Sequence, residues 1–549
     1  MRSVTALLAF LMPALLAAQT PVRIHVSGDA SLGPFRPVFS YFGYDEANYT
    51  YAENGRKLVG ELARLSPVPV YFRAHHLLCT GDGTPGLKWG STNAYTEDAS
   101  GHPVYDWTIV DRIFDTYAHD GARPFVEIGF MPEALSIHPQ PYTRNWPQPA
   151  DGQGWSYPPK DYAKWGELVR QWVLHAVERY GRGEVQSWYW EVWNEPDISY
   201  WRGTAEEYDR LYDSAAAAVK SALPSARVGG PATTSPRYPK PAEYLRQFLQ
   251  HCAEKNVPLD FITFHAKGQT QVVDGHVRLA LGRELEDVDA GMRVIAGFPR
   301  FAKLPIVLSE ADPEGCAACS AARNPQNGYR NGTQYPAYTA AALAGMLQLA
   351  DLDHANLEGM LTWAFEFERQ PYFAGFRTLA TNGIDKPVLN VFRMLGLMAA
   401  PGAERVRVET AGAIPLDQVL AAGVRGKPLV DAIAARSGRG IATLIWNYHD
   451  DDVPAAPAPV NLAVSGIPPA TSRVLLRHYR IDGDHSNAYA AWLRMGSPPQ
   501  PTAEQYAQLE HAGQLELLDS PQWLAVEDGQ LTLTLRVPRQ AVSLIDLTW

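Results

Sequence analysis

The chain has 549 residues, more than one domain ordinarily takes, and its 46% hydrophobic and 19% charged content excludes a disordered or fibrous protein. Its net charge of −11, with no basic run, argues against nucleic acid or an anionic membrane as partner and leaves a neutral or small substrate easier to reconcile. The 15 Trp and 26 Tyr residues supply flat apolar faces of the kind that suit sugar rings.

At the amino terminus, Arg2 precedes an apolar run over 4–16 and the small pair Ala17-Ala18, the pattern of a secretory signal (1–18) cut near Ala18. The mature protein is therefore expected to be secreted or periplasmic. No later segment reaches the roughly 18 apolar residues of a membrane span, so no anchor is expected. Residues 22–26 alternate, and the stretch 19–36 reads as a strand that joins a later β domain.

Short β-forming runs follow at 38–44, 69–74, 123–129, 187–193, 226–230, 259–265, 304–309 and 359–365, each succeeded by a polar turn and a helical pattern. Helices are read at 205–222 and 337–352. Eight such units over 37–399 predict an α/β fold, a (β/α)8 TIM barrel; an open doubly wound sheet would carry a glycine-rich phosphate fingerprint, and none fits. After residue 400 helical periodicity thins, alternating segments appear at 529–537 and 541–547, and 453–460 is proline-rich, so 400–549 is predicted to be an accessory β-sandwich domain. Of four cysteines, Cys316 and Cys319 are close enough for a local disulfide or remain free thiols, in preference to zinc, which leaves Cys79 and Cys252.

Two strand ends carry the chemistry. The fourth run ends in Glu191-Val192-Trp193-Asn194-Glu195-Pro196-Asp197 and the seventh in Ser309-Glu310-Ala311-Asp312. Barrel enzymes place reacting groups at the carboxyl ends of their strands. Glu195 and Glu310 thus form a candidate pair of opposed carboxylates, one to protonate a leaving oxygen and the other to attack or to activate water, as glycoside hydrolysis requires.

Trp193-Asn194-Glu195-Pro196 with a glutamate on the seventh strand resembles the large clan of retaining glycosidases, and more narrowly glycoside hydrolase family 39, which includes β-xylosidases and α-L-iduronidases. Supporting stretches are Pro158-Pro159-Lys160-Asp161-Tyr162, Gly229-Gly230-Pro231, Phe264-His265-Ala266-Lys267-Gly268, Ser309-Glu310-Ala311-Asp312-Pro313 and His485-Ser486-Asn487-Ala488-Tyr489. The resemblance implies double displacement with Glu195 as general acid/base, Glu310 as nucleophile, Asn194 as a hydrogen-bond partner of the sugar 2-hydroxyl and His75 as a sugar-binding residue. It also implies that Lys267 and Arg377 fall in stretches which, in the iduronidase branch, bind a substrate carboxylate.

His265 ends the sixth run, beside Glu310 around the ring, and is placed to orient a carboxylate or a hydroxyl. Trp363 is a candidate floor for the ring; Glu366 lies in the loop after it, with Tyr372 and Phe373 as an aromatic rim. Glu127 and Glu191, inside apolar strands, are costly to bury unpaired and are expected to bond an arginine such as Arg73. No ligand spacing points to a metal, no cofactor is expected, and Asp450-Asp451-Asp452 reads as a solvated turn rather than a calcium site.

The function expected is an exported, retaining exo-β-1,4-xylosidase acting on xylo-oligosaccharides. The alternatives are an α-L-iduronidase or α-L-arabinosidase on the same scaffold, or a barrel that binds carbohydrate without cleaving it. The sequence does not determine the oligomeric state.

Overall fold

A computed structural model describes residues 20–138 and 155–549; the expected signal sequence lies outside the described residues. Eight parallel strands close into a barrel. In chain order they are Tyr41–Tyr44, Tyr71–Ala74, Arg123–Ile128, Tyr189–Val192, Arg227–Thr233, Phe261–Lys267, Ile306–Asp312 and Leu357–Thr362, called here the first to eighth barrel strands. Pairing of Leu361 with Tyr41 closes the ring. Each strand coincides with a run read from the sequence, because a strand buried on both faces is written as a nearly continuous apolar run.

The helices Ala205–Ala222 and Gln334–Leu352 lie where the periodicity placed them. The first begins with a capping box, Thr204 accepting from the Glu207 amide while the Glu207 carboxylate accepts from the Thr204 amide, so local chemistry sets its start. Among the described residues no helix is long and apolar enough to cross a membrane.

The tail and Val22–Pro34 build a mixed sheet of ten strands, nine in one hydrogen-bonded path and the tenth, Gln522–Ala525, paired to the side of it with Arg473–Ile481. Val22–Pro34 pairs antiparallel with Glu404–Ala411 and parallel with Ala458–Ser465, and its register with the former breaks after Ser27 and again after Ser31. Such irregularities bend a strand and increase its twist. The sheet carries a core of its own that includes Ile24, Val26, Ile441, Ile445, Leu462 and Ile545, and the strands expected to form a sandwich belong to this one sheet.

The tail also contains two short helices, Ala488–Arg494 and Ala503–Ala512, that the sequence analysis did not anticipate. Their apolar residues Ala488, Ala491 and Leu509 bury Phe373 and Ile384, with Tyr372 packed against the same cluster. The aromatic rim expected of Tyr372 and Phe373 is therefore corrected: Phe373 is core, because this helical hairpin covers it. The tail braces its own barrel.

Asp450 is also corrected from the solvated-turn reading. It is buried, and its carboxylate accepts from Tyr448 Oη at 2.8 Å and from the amides of Val424 at 2.9 Å and Leu281 at 3.3 Å. Its carbonyl accepts from Leu279 N and Gln334 Nε2, both at 2.8 Å, so it pins the sheet to the barrel's helical shell. Cys316 and Cys319 are disulfide-bonded, with Cα atoms 5.6 Å apart, while Cys79 and Cys252 are free and buried.

Candidate active site

The two candidate carboxylates are held by different local devices. On the seventh strand, Val307 and Leu308 pair with Thr263 and Phe264, but the next partner of His265 is Glu310, and Asp312 follows opposite Lys267. Ser309 is an extra residue in that register. Because side chains alternate across a strand, this irregularity changes which residues fall beside His265 and Lys267.

Glu195 leaves the fourth strand through a turn in which Trp193 (φ 72°) and Glu195 (φ 45°) both adopt left-handed backbone, an unusual state for residues other than glycine. The turn is tied down. Trp193 Nε1 donates to the Tyr200 carbonyl at 3.1 Å, Glu195 N donates to the Ala232 carbonyl at 2.9 Å, and Asp197 accepts from Thr234 N at 2.9 Å.

Glu195, His265 and Glu310 converge, each offering one donor atom within 4.8 Å of the others. His265 Nδ1 lies 2.9 Å from Glu195 Oε1 and 3.8 Å from Glu310 Oε1, so it reaches both acids and hydrogen-bonds to Glu195. A trio of this kind could ligate a metal, but the Lys267 ammonium already stands against Glu310, which opposes a second cation there.

Lys267 Nζ is 2.7 Å from Glu310 Oε2 and 2.5 Å from Asp312 Oδ2. Burial alone would raise the pKa of Glu310; Lys267 foremost, then His265 and Arg73, hold it well below the ordinary carboxylate range. The group is kept as an anion. A buried anion that accepts few hydrogen bonds is a competent nucleophile.

Arg73 sits beneath the pair as a hub. Its Nε donates to Glu191 Oε2 at 2.6 Å, its Nη2 donates to Asn194 Oδ1 at 2.9 Å and lies 3.2 Å from Glu127 Oε2, and its Nη1 lies 3.5 Å from Glu310 Oε1. The expected pairing of Glu127 and Glu191 with Arg73 is observed. With Asn194 Oδ1 engaged, the buried Nδ2 of Asn194 has no protein partner.

His75 completes this layer. Its Nδ1 is 2.8 Å from Asp45 Oδ1, its Nε2 is 3.6 Å from Glu310 Oε1, and burial lowers its pKa to about 3, so the ring is neutral. Trp363 packs on it with ring centroids 4.2 Å apart. Gly43 on the first strand makes room for that indole, since a Cβ there would collide with it.

The structure therefore brings together Glu195, Glu310, His75, Asn194, His265, Lys267 and Trp363. It does not bring in the remaining two. The Arg377 guanidinium is fully buried, bonded through Nε to the Trp363 carbonyl at 3.0 Å and through Nη1 to the Glu314 carbonyl, with Glu314 and Asp312 as ionic partners. Glu366 is buried in the loop after the eighth strand, where it accepts from Gly383 N at 2.9 Å, and burial raises its pKa to about 8.

Asp45 and Asp312 are the residues that sequence reasoning missed. Asp312 had a visible signal, being two residues beyond Glu310 and hence on the same side of the strand. Asp45 had none, because one acid after a short strand is indistinguishable from a surface loop residue.

A closed barrel with two opposed carboxylates at its carboxyl end defines the protein as a glycoside hydrolase. The model of glycosyl hydrolases family 39 matches residues 71–517, and the chain belongs to that family. It is 27% identical to a β-xylosidase of Geobacillus stearothermophilus over 494 residues, spanning 87% of this chain and 86% of the relative. It is 26% identical to the α-L-iduronidase of Mus musculus, over 98% of this chain and 82% of the relative. Its fold is similar to that of a monomeric β-xylosidase from Caulobacter crescentus CB15 (TM-score 0.74, 24% identity, 96% and 99% coverage). It is equally similar to a GH39 enzyme from Xanthomonas axonopodis pv. citri (TM-score 0.75, 23% identity, 98% and 99% coverage).

Proposed function

We propose that the protein is a retaining exo-β-1,4-xylosidase in which Glu310 is the nucleophile and Glu195 the general acid/base. The observation that carries the assignment of roles is the asymmetry between the two acids. Glu310 is anchored among Lys267, Arg73 and His75, whereas Glu195 has His265 as its close partner and is the more exposed, 15% against 8%. Nucleophilic attack by Glu310 on C1 would be matched by proton transfer from Glu195 to the departing oxygen. Esterification removes the charge of Glu310, and Glu195 then accepts a proton from the incoming water. Oxygens within 4.8 Å agree with the roughly 5–5.5 Å separation of retaining enzymes.

The neutral pentose is favoured over a uronide because the two cations that would receive a carboxylate are already committed. Lys267 is paired with both Glu310 and Asp312, and Arg377 is fully buried against Glu314 and Asp312. The relatives named β-xylosidase support the same choice. The uronide and arabinoside readings, and that of a non-catalytic barrel, are weaker. Export rests on residues 1–18 alone, and N-terminal sequencing of the mature protein tests it, a start near Gln19 being expected.

The deciding experiment compares aryl β-D-xyloside, α-L-arabinopyranoside, α-L-arabinofuranoside and α-L-iduronide as substrates for wild type, Glu195→Ala and Glu310→Ala. Preference for the xyloside, lost in both variants, is expected. Preference for the iduronide refutes the specificity, and turnover undiminished in Glu310→Ala refutes its role.

A further inference from the structure

Glu127 lies on the third strand with its side chain fully buried, and neither of its oxygens makes a directed hydrogen bond. Its titratable neighbours are Arg73 (Nη2 at 3.2 Å) and His75 (Nε2 at 3.1 Å) from the second strand and its end, Glu191 from the fourth, Glu310 from the seventh and Asp45 after the first. The thiol of Cys79 stands nearby as well. Three carboxylates, those of Glu127, Glu191 and Glu310, thus face the single guanidinium of Arg73.

That guanidinium is already committed through Nε to Glu191, through Nη2 to Asn194 and through Nη1 to His75 Nε2. His75 offers no second cation. With its Nδ1–H directed at Asp45, the neutral ring has its Nε2 lone pair accepting from Arg73 Nη1 at 3.2 Å, so it offers the Glu127 carboxylate 3.1 Å away neither a charge nor an N–H. A proton on Glu127 removes the need for a donor that the site does not supply.

We propose that Glu127 is held as the neutral acid, and that it is a positioning residue which leaves the charge of Arg73 to Glu191 and to the nucleophile Glu310. The electrostatics agree. Burial raises the pKa of Glu127 most, Arg73 pulls it down, and Glu191, Glu310 and Asp45 push it up, leaving it well above the ordinary carboxylate range. An ionised Glu127 would compete for Nη1 and Nη2 of Arg73 and turn the guanidinium away from Glu310 and Asn194. The part of this inference that concerns catalysis rests on the role proposed for Glu310, whereas the protonation of Glu127 does not.

The test uses the full-length protein. Infrared difference spectra of wild type minus Glu127→Gln at pH 6 should contain a carboxylic-acid C=O stretch; a difference that contains only carboxylate bands overturns the proposal, whatever the role of Glu310. In hydrolysis, Glu127→Ala should lose about a hundredfold in kcat/KM, the scale of a displaced reacting group. Glu127→Gln, neutral and of the same shape as the acid, should recover most of that loss. A glutamine variant that folds with native circular dichroism yet is as inactive as the alanine variant would show that the anion is required.

Discussion

Lys267 Nζ stands 2.7 Å from Glu310 Oε2, and both side chains are nearly excluded from solvent. The two residues come from adjacent strands and are brought together by the register irregularity at Ser309. Their pairing ties the charge state of the proposed nucleophile to a single lysine.

Lys267→Met should therefore move the acid limb of kcat/KM upward. The sign follows from the cause: the ammonium lowers the pKa of Glu310, so its loss lets burial raise that pKa, and a higher pH is needed to keep the anion. Activity at the optimum should fall by about 10²-fold or more. A pH–rate profile on an aryl xyloside measures both, and an unmoved acid limb would sink the idea that Lys267 sets the charge of Glu310.

The two glutamates should separate by the product they form with azide. Glu310→Ala should lose about 10⁴-fold or more and be rescued by azide as the glycosyl azide of inverted configuration. Glu195→Ala should still form the glycosyl-enzyme from a substrate with a good leaving group and release a glycosyl azide of retained configuration. NMR of the anomeric centre distinguishes them, and exchange of the two outcomes would reverse the roles.

Glu314 supplies a pH-dependent part of the stability. Burial opposes its charge, but Arg330 and Arg377 prevail and lower its pKa from 4.5 to about 2. A depressed carboxylate pKa stabilises the fold above the unfolded value and loses that contribution as pH falls through the folded one. The window is thus about pH 4.5 to 2, and the contribution about 3 kcal/mol. Urea unfolding should show Glu314→Gln destabilised by about 3–5 kcal/mol at pH 6, since two buried arginines lose their partner, and by less at pH 3.

Asp450→Ala should cost about 3 kcal/mol, because the amides of Val424 and Leu281 and the Tyr448 hydroxyl lose a charged acceptor at once. If the pin acts between sheet and barrel, thermal unfolding of the variant should split into two steps by calorimetry. A single transition at the wild-type temperature would show that Asp450 is dispensable.

The barrel was legible in the chain because its cause is local. Runs such as those around 123–129 and 306–308 are apolar on both faces, and the turns and helices between them announce themselves by composition and period. Glu195 and Glu310 were legible for the same reason, as acids that interrupt or end such runs. The sequence by itself thus determined the architecture, the acid pair and the pairing of Glu127 and Glu191 with Arg73.

Tertiary structure alone decided which other residues meet that pair. Asp45 joins through the closure of the ring, Asp312 through the side of the strand it shares with Glu310, and Arg377 is drawn away by Glu314, a residue from a neighbouring loop. Phe373 left the rim because two helices from the distant tail cover it. Charges and aromatic rings are assigned by what packs against them, and contacts between residues far apart in the chain leave no periodicity along it.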